Sequence, residues 1–94
     1  MVLLKEIEAL YDQFADEVYA PRHLDKKTKE LIAFSNSIMI DCKHCMKWHL
    51  REALEAGASQ EEIAEVVALT MSVSAGKMRG IARETIEGFQ SDSN

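Results

Sequence analysis

Several things are scarce in this chain, and each absence removes a class of protein. Proline occurs once, at Pro21, and 47% of the 94 residues are hydrophobic, a composition that does not fit a disordered chain. No stretch alternates apolar and polar residues in the manner of a strand, which leaves no sheet for a thioredoxin-type fold to use. No internal repeat is present, and no apolar run is long enough to span a bilayer. The formal net charge is −5 and no basic cluster stands out, so nucleic acid and anionic membrane surfaces are poor partner candidates. The opening MVLLKEIEAL acquires charge too early for a secretory signal. Together these features predict one all-α domain over residues 1–94, in a cytoplasmic protein.

Helical periodicity accounts for the whole length. Leu3, Ile7, Leu10, Phe14 and Val18 recur at three and four, predicting a helix from Leu3 to about Val18. Ala20-Pro21-Arg22-His23 interrupts it, and His23 falls near a loop. Asp25 then serves as N-cap of a second helix, from about Lys26 to Ile40, that is apolar on more than one side and therefore central or held in a subunit interface. A third helix runs from about Cys42 to Ala56 and stops at Gly57. Ser59 and Glu62 form a capping-box pattern ahead of a fourth helix through Val73. Ser74-Ala75-Gly76 is read as a break, followed by a fifth helix from about Lys77 to Gly88 and a frayed tail from about Gln90 to Asn94. Met39, Met46, Met71 and Met78 read as core filler, and Glu61, Glu62 and Glu65 as a solvated helix start that suits the dipole.

The chemistry concentrates between Glu30 and His49. Cys42 and Cys45, the two cysteines of the chain, share a helix face one turn apart. His49 follows Cys45 by four positions on that face, whereas His44 points elsewhere on the wheel. Asp41 can cap this helix and place Cys42 in a first turn whose free amides favour a thiolate, the reactive form of cysteine. If the second and third helices form a hairpin turning near Asp41, Glu30 lies roughly 16 Å back from the turn and His49 roughly 12 Å forward, at a similar depth. A carboxylate there could take a proton from the imidazole, and the imidazole one from Cys45. In a cytoplasmic chain such a pair is kept reducible, and catalysis or metal binding is a better use of it than structure.

Plainer readings exist for each residue. The cysteines could be two small buried hydrophobes. Cys42, Cys45 and His49 could supply three zinc ligands, but no second C-x-x-C or H-x-x-x-H completes the set, so no metal is assigned. Haem attachment needs histidine where Met46 stands. Glu30 taken alone would be a surface ion pair with Lys26 or Lys27, and His49 a packed, hydrogen-bonded histidine. Trp48 could lie over the thiols as a lid, with core or subunit packing the simpler alternative.

The register of Glu30, Cys42, His44, Cys45 and His49 resembles the motif of the alkylhydroperoxidase D branch of the carboxymuconolactone decarboxylase family. The DKKTKELIAFS lead-in and the acidic EEIAEVV segment after Gly57 extend the resemblance over roughly residues 20–80. It implies an all-helical bundle of about five helices, assembled as a hexamer or trimer. It also implies a thiol-dependent peroxidase or disulfide reductase that uses no cofactor. Cys45 would attack a small hydroperoxide or disulfide substrate and Cys42 would resolve the product. Glu30 and His49 would relay protons, and His44 would assist. The helix dipole alone favours Cys42 as the attacking thiol; the adjacency of His49 to Cys45 supports the family's assignment. A dithiol, lipoyl or thioredoxin-like protein would return the electrons. Two rivals remain: a redox adaptor or sensor without turnover of its own, and a lactone decarboxylase, which the thiol pair argues against.

Overall fold

The described residues form four helices: α1 (Lys5–Tyr19), α2 (Lys26–Met39), α3 (Lys43–Glu55) and α4 (Gln60–Asp92). They come from a computed structural model that describes residues 3–92, and no strand occurs among the described residues. Met1, Val2, Ser93 and Asn94 lie outside them, and with them the end of the expected frayed tail.

α2 is the central element, as its mixed apolar faces predict. It packs against α3 along most of its length, crosses the first half of α4, and touches α1 lightly. Asp25 starts it by accepting the Thr28 amide at 2.8 Å. Its buried residues are Glu30, Phe34 and Ser37, which recur at four and three on one helix face.

The turn from α2 to α3 differs from expectation. Asp41 does not cap α3. It has a left-handed φ of 55°, and its amide bonds Ile38 O at 3.1 Å while the Cys42 amide bonds Ser37 O at 3.0 Å. This pair of bonds closes the C-terminus of α2 in a Schellman motif, a conformation that aspartate tolerates better than most side chains. Cys42 is thereby left as the N-cap of α3, with extended backbone and its carbonyl accepting the Met46 amide at 2.9 Å. Gly57, at φ 98°, ends α3 in the same way, with the Ala58 amide on Ala53 O.

α4 opens on the expected capping box: Ser59 Oγ accepts the Glu62 amide at 3.0 Å and Glu62 Oε1 accepts the Ser59 amide at 2.9 Å. Glu62 is also tied to Lys27 at 2.9 Å, so this residue of the acidic cluster is a link to α2 and not simply solvated. The predicted break does not occur. The helix passes through Ser74-Ala75-Gly76 and continues to Asp92, giving one 33-residue helix in place of two and four helices instead of about five. A helical glycine costs only about 1 kcal/mol relative to alanine, and helix-forming residues flank this one on both sides. Gln90, Ser91 and Asp92 belong to the helix.

The chain does not close around a large core. Among the described residues only Phe34, Ala53 and Ala58 are buried apolar residues, while Ile7, Leu10, Phe14, Leu69, Val73, Ile81 and Ile86 are exposed. Met39, Met71 and Met78 are exposed as well, so they do not fill a core. The radius of gyration is 18.8 Å, against about 12 Å for a compact chain of this length. The accessible surface is 7810 Å², against about 5,500 Å² for a compact monomer of this mass.

Candidate active site

The site is assembled where α3 begins, against the buried face of α2 and the end of α1. Cys42 and Cys45 form a disulfide. Cys42 is the N-cap and its side chain makes no capping hydrogen bond, so the amides of the first turn are left free at this end of α3. Those amides and the helix dipole favour negative charge there.

Glu30 is the largest side chain to be fully buried, at 1% exposure. Such burial of a carboxylate requires partners, and it has them: Oε2 lies 2.8 Å from His49 Nδ1 and Oε1 lies 3.3 Å from Lys26 Nζ. The Lys26 pairing expected of a surface residue is therefore present, but it caps a buried group. Lys26 also reaches Glu52 at 3.8 Å. The hairpin geometry brings Glu30 and His49 to one depth, as their distances from the turn suggested.

Tyr19 is the site residue that sequence reasoning missed. It is the last residue of α1, and its hydroxyl lies 3.3 Å from His49 Nε2 with the two ring centroids 5.2 Å apart. With Nδ1–H donating to the Glu30 carboxylate, Nε2 carries the lone pair and the tyrosine hydroxyl is the donor. Burial pushes the Tyr19 hydroxyl above its ordinary value, with the charges of Glu30 and then Tyr11 adding to the shift, so it remains protonated and able to donate. Lys29 fixes this end of α1 by donating to Val18 O at 2.7 Å and to Ala20 O at 2.6 Å. The signal in the sequence was weak: Tyr19 sits just before the Ala20-Pro21 break, outside the apolar stripe, and only long-range packing gives it a role.

His44 does not point away from the cysteines. Cys42 Sγ lies 3.7 Å from both of its ring nitrogens. The wheel argument failed because Cys42 is not inside the helix; its extended backbone swings the sulfur toward the residue two positions on. Cys45 and His49 line the same open groove of about 780 Å³, together with Tyr19, Glu30, His44 and Trp48. Trp48 is half exposed at this groove and is not a core residue, and His23 is exposed. With Cys45 in the disulfide there is no thiol proton for His49 to accept, and its Nε2 faces Tyr19. The arrangement unites a disulfide-forming cysteine pair with a buried carboxylate–imidazole pair that can take up and release a proton. No helix among the described residues is long and apolar enough to cross a membrane.

Known proteins resemble this chain in sequence and in fold. The sequence model of the carboxymuconolactone decarboxylase family matches residues 5–85. A Paracoccus denitrificans protein, uncharacterized protein 4 in the cox locus, is 36% identical over 59 residues. That match takes in 63% of this chain but only about half, 53%, of the Paracoccus protein. A crystal structure from Methanobacterium thermoautotrophicum superimposes with a TM-score of 0.80 at 30% identity, covering 88% of this chain and 95% of that one. A carboxymuconolactone decarboxylase family protein of Thermotoga maritima, described as a possible participant in antioxidative response, superimposes with a TM-score of 0.72 at 28% identity, covering 89% and 87% of the two chains.

Proposed function

The chain belongs to the carboxymuconolactone decarboxylase family, and from that premise we propose that it is a thiol-dependent peroxidase or disulfide reductase of the alkylhydroperoxidase type. The observation that carries this reading is the buried Glu30–His49 pair, joined at 2.8 Å, in the same groove as the Cys42–Cys45 disulfide. A structural cysteine pair has no need of a desolvated carboxylate–imidazole couple beside it. The antioxidative role considered for the Thermotoga relative points in the same direction.

In the proposed cycle the Cys45 thiol gives its proton to His49, whose imidazolium is stabilised by Glu30. For this transfer the Tyr19 hydroxyl yields the Nε2 lone pair. The Cys45 thiolate attacks the terminal oxygen of an alkyl hydroperoxide, the O–O bond breaks, and the alcohol leaves with a proton returned from His49. The resulting sulfenic acid is attacked by the Cys42 thiolate, which expels water and forms the disulfide. One hydroperoxide and two thiols thus give one alcohol, one water and one disulfide. An external dithiol, carried by a lipoyl or thioredoxin-like protein, reduces the disulfide through a mixed disulfide. The working form is a homo-oligomer, hexameric or trimeric, that covers the apolar faces of α1 and α4.

The test is intact mass after reduction and exposure to one equivalent of an alkyl hydroperoxide. Loss of two hydrogens is expected, absent in Cys42→Ser and Cys45→Ser. In Cys42→Ser, a sulfenic acid on Cys45 should be trapped by a dimedone-type reagent. Unchanged peroxide consumption in Cys45→Ser overturns the reading. Disulfide formation with turnover only when a partner protein is added would make the chain a redox adaptor.

A further inference from the structure

We propose that the reduced protein carries a thiolate–imidazole site for a borderline-soft divalent cation such as zinc, made by Cys42, Cys45 and His44, and that the bound cation holds the thiol pair out of the redox cycle. It rests on the redox reading only in that the pair must spend part of its cycle as two thiols.

The ligand set differs from the one the spacing alone suggests. On an ideal helix His49 would be the third ligand. Here His49 is already held on both ring nitrogens, by Glu30 at 2.8 Å and Tyr19 at 3.3 Å. His44 has neither constraint. Its ring is exposed, and ligand atoms of Cys42, His44 and Cys45 all lie within 4.8 Å of one another. Zinc–sulfur and zinc–nitrogen bonds of about 2.3 and 2.05 Å around a tetrahedral centre require a sulfur-to-nitrogen separation of about 3.6 Å. In the disulfide form Cys42 Sγ lies 3.7 Å from both His44 ring nitrogens, so once reduction releases the two sulfurs, side-chain rotations of the thiols and of an exposed ring bring the three ligands round one centre.

Two further features favour the site. The N-cap position of Cys42 places its sulfur at the positive end of α3, which favours the thiolate that a metal needs. The groove beside Cys45 is open, leaving room for water at a fourth position, the usual arrangement of a three-ligand zinc site. Binding displaces two thiol protons and forms two metal–sulfur bonds. Disulfide formation removes two electrons from the same sulfurs. The two states exclude each other, so the cation protects the thiols against oxidation and an oxidant ejects the cation.

The experiment titrates the reduced 94-residue chain with Co²⁺ under argon, then with Zn²⁺. One equivalent of cobalt should give a sulfur-to-cobalt charge-transfer band, displaced by one equivalent of zinc. His44→Ala should weaken binding at least tenfold, His49→Ala should leave it unchanged, and the disulfide form should bind nothing. Zinc should slow disulfide formation by alkyl hydroperoxide at least tenfold, with the rate restored by a chelator. Absence of the band, a His44→Ala variant that binds as wild type, or dependence on His49 overturns the proposal. Intact mass of the metal-free protein after peroxide keeps the two ideas apart. A chain that closes its disulfide yet takes no cobalt loses the cation site alone, and one that binds cobalt yet never closes the disulfide loses the redox reading.

Discussion

Tyr19, at the end of α1, places its hydroxyl 3.3 Å from Nε2 of His49, on the side of the imidazole opposite the Glu30 carboxylate. The imidazole is therefore held from both ends, by a charge-assisted bond on a buried carboxylate and by a neutral bond from a phenol. The second bond keeps the ring aimed into the groove that Cys45 lines. A neutral hydrogen bond is worth about 1 kcal/mol, which corresponds to roughly fivefold in rate. Because this bond must open before Nε2 can take the Cys45 proton, Tyr19→Phe should speed peroxide-driven disulfide formation by about that factor while the dependence on peroxide concentration stays the same. Single-turnover kinetics followed through Trp48, which lines the groove, would check both.

Glu30 separates activity from stability. Glu30→Gln keeps the shape and a hydrogen-bond acceptor for His49 but removes the charge that stabilises an imidazolium. Peroxide turnover should fall by about 10²–10⁴, the usual share of positioned acid–base catalysis, with little change in melting temperature. Glu30→Ala also opens a hole at the buried centre of α2 and strands His49 without its partner. It should cost stability as well, on the order of 3 kcal/mol, read from urea denaturation. Equal losses of stability in the two variants would show that the carboxylate is structural only.

Much of this site was legible because helical spacing is rigid. The shared depth of Glu30 and His49 follows from counting residues away from one turn, and the buried face of α2 follows from the spacing of Glu30, Phe34 and Ser37. The errors have local physical causes. Asp41 can either begin a helix or end one in a left-handed conformation, and spacing does not distinguish the two; choosing the first misplaced Cys42 and therefore His44. The break expected at Ser74-Ala75-Gly76 failed because a single glycine among helix formers is too small a penalty to stop a helix. Tyr19 was invisible because its role depends on how α1 meets α3, and no periodicity carries that information.

Glu62 offers a pH test of the α2–α4 junction. Its carboxyl lies below its ordinary value of 4.5, chiefly because the Ser59 backbone amide donates to it and next because Lys27 does. A depressed carboxyl contributes stability that is fully present above the unfolded value and is lost as pH falls through the folded one. Glu62→Gln should therefore melt lower than wild type at neutral pH. The gap should narrow as the pH is taken progressively below 4.5. Thermal melts across the acidic range measure this, and a gap independent of pH would mean that the capping geometry, not the charge, holds the junction.

The apolar surface of α4 predicts how the chain assembles. Every described residue beyond Ser74 is exposed, including Met78, Ile81, Ile86 and Phe89, and α1 presents Ile7, Leu10 and Phe14 in the same condition. A surface of 7810 Å² exceeds the compact-monomer value by about 2,300 Å². A standard interface takes about 800 Å² from each partner, so one chain has area for more than one neighbour, as a closed ring or a hexamer requires. Light scattering at micromolar concentration should give a multiple of the 10.6 kDa chain mass, three or six. Ile81→Glu combined with Ile86→Glu places charge on the exposed half of α4, away from the thiols and their hydrogen-bond partners. It should lower the mass toward the single chain while helicity from α2 and α3 persists. A wild-type chain that already scatters as a monomer would mean that the exposed half of α4 is covered by something other than another copy.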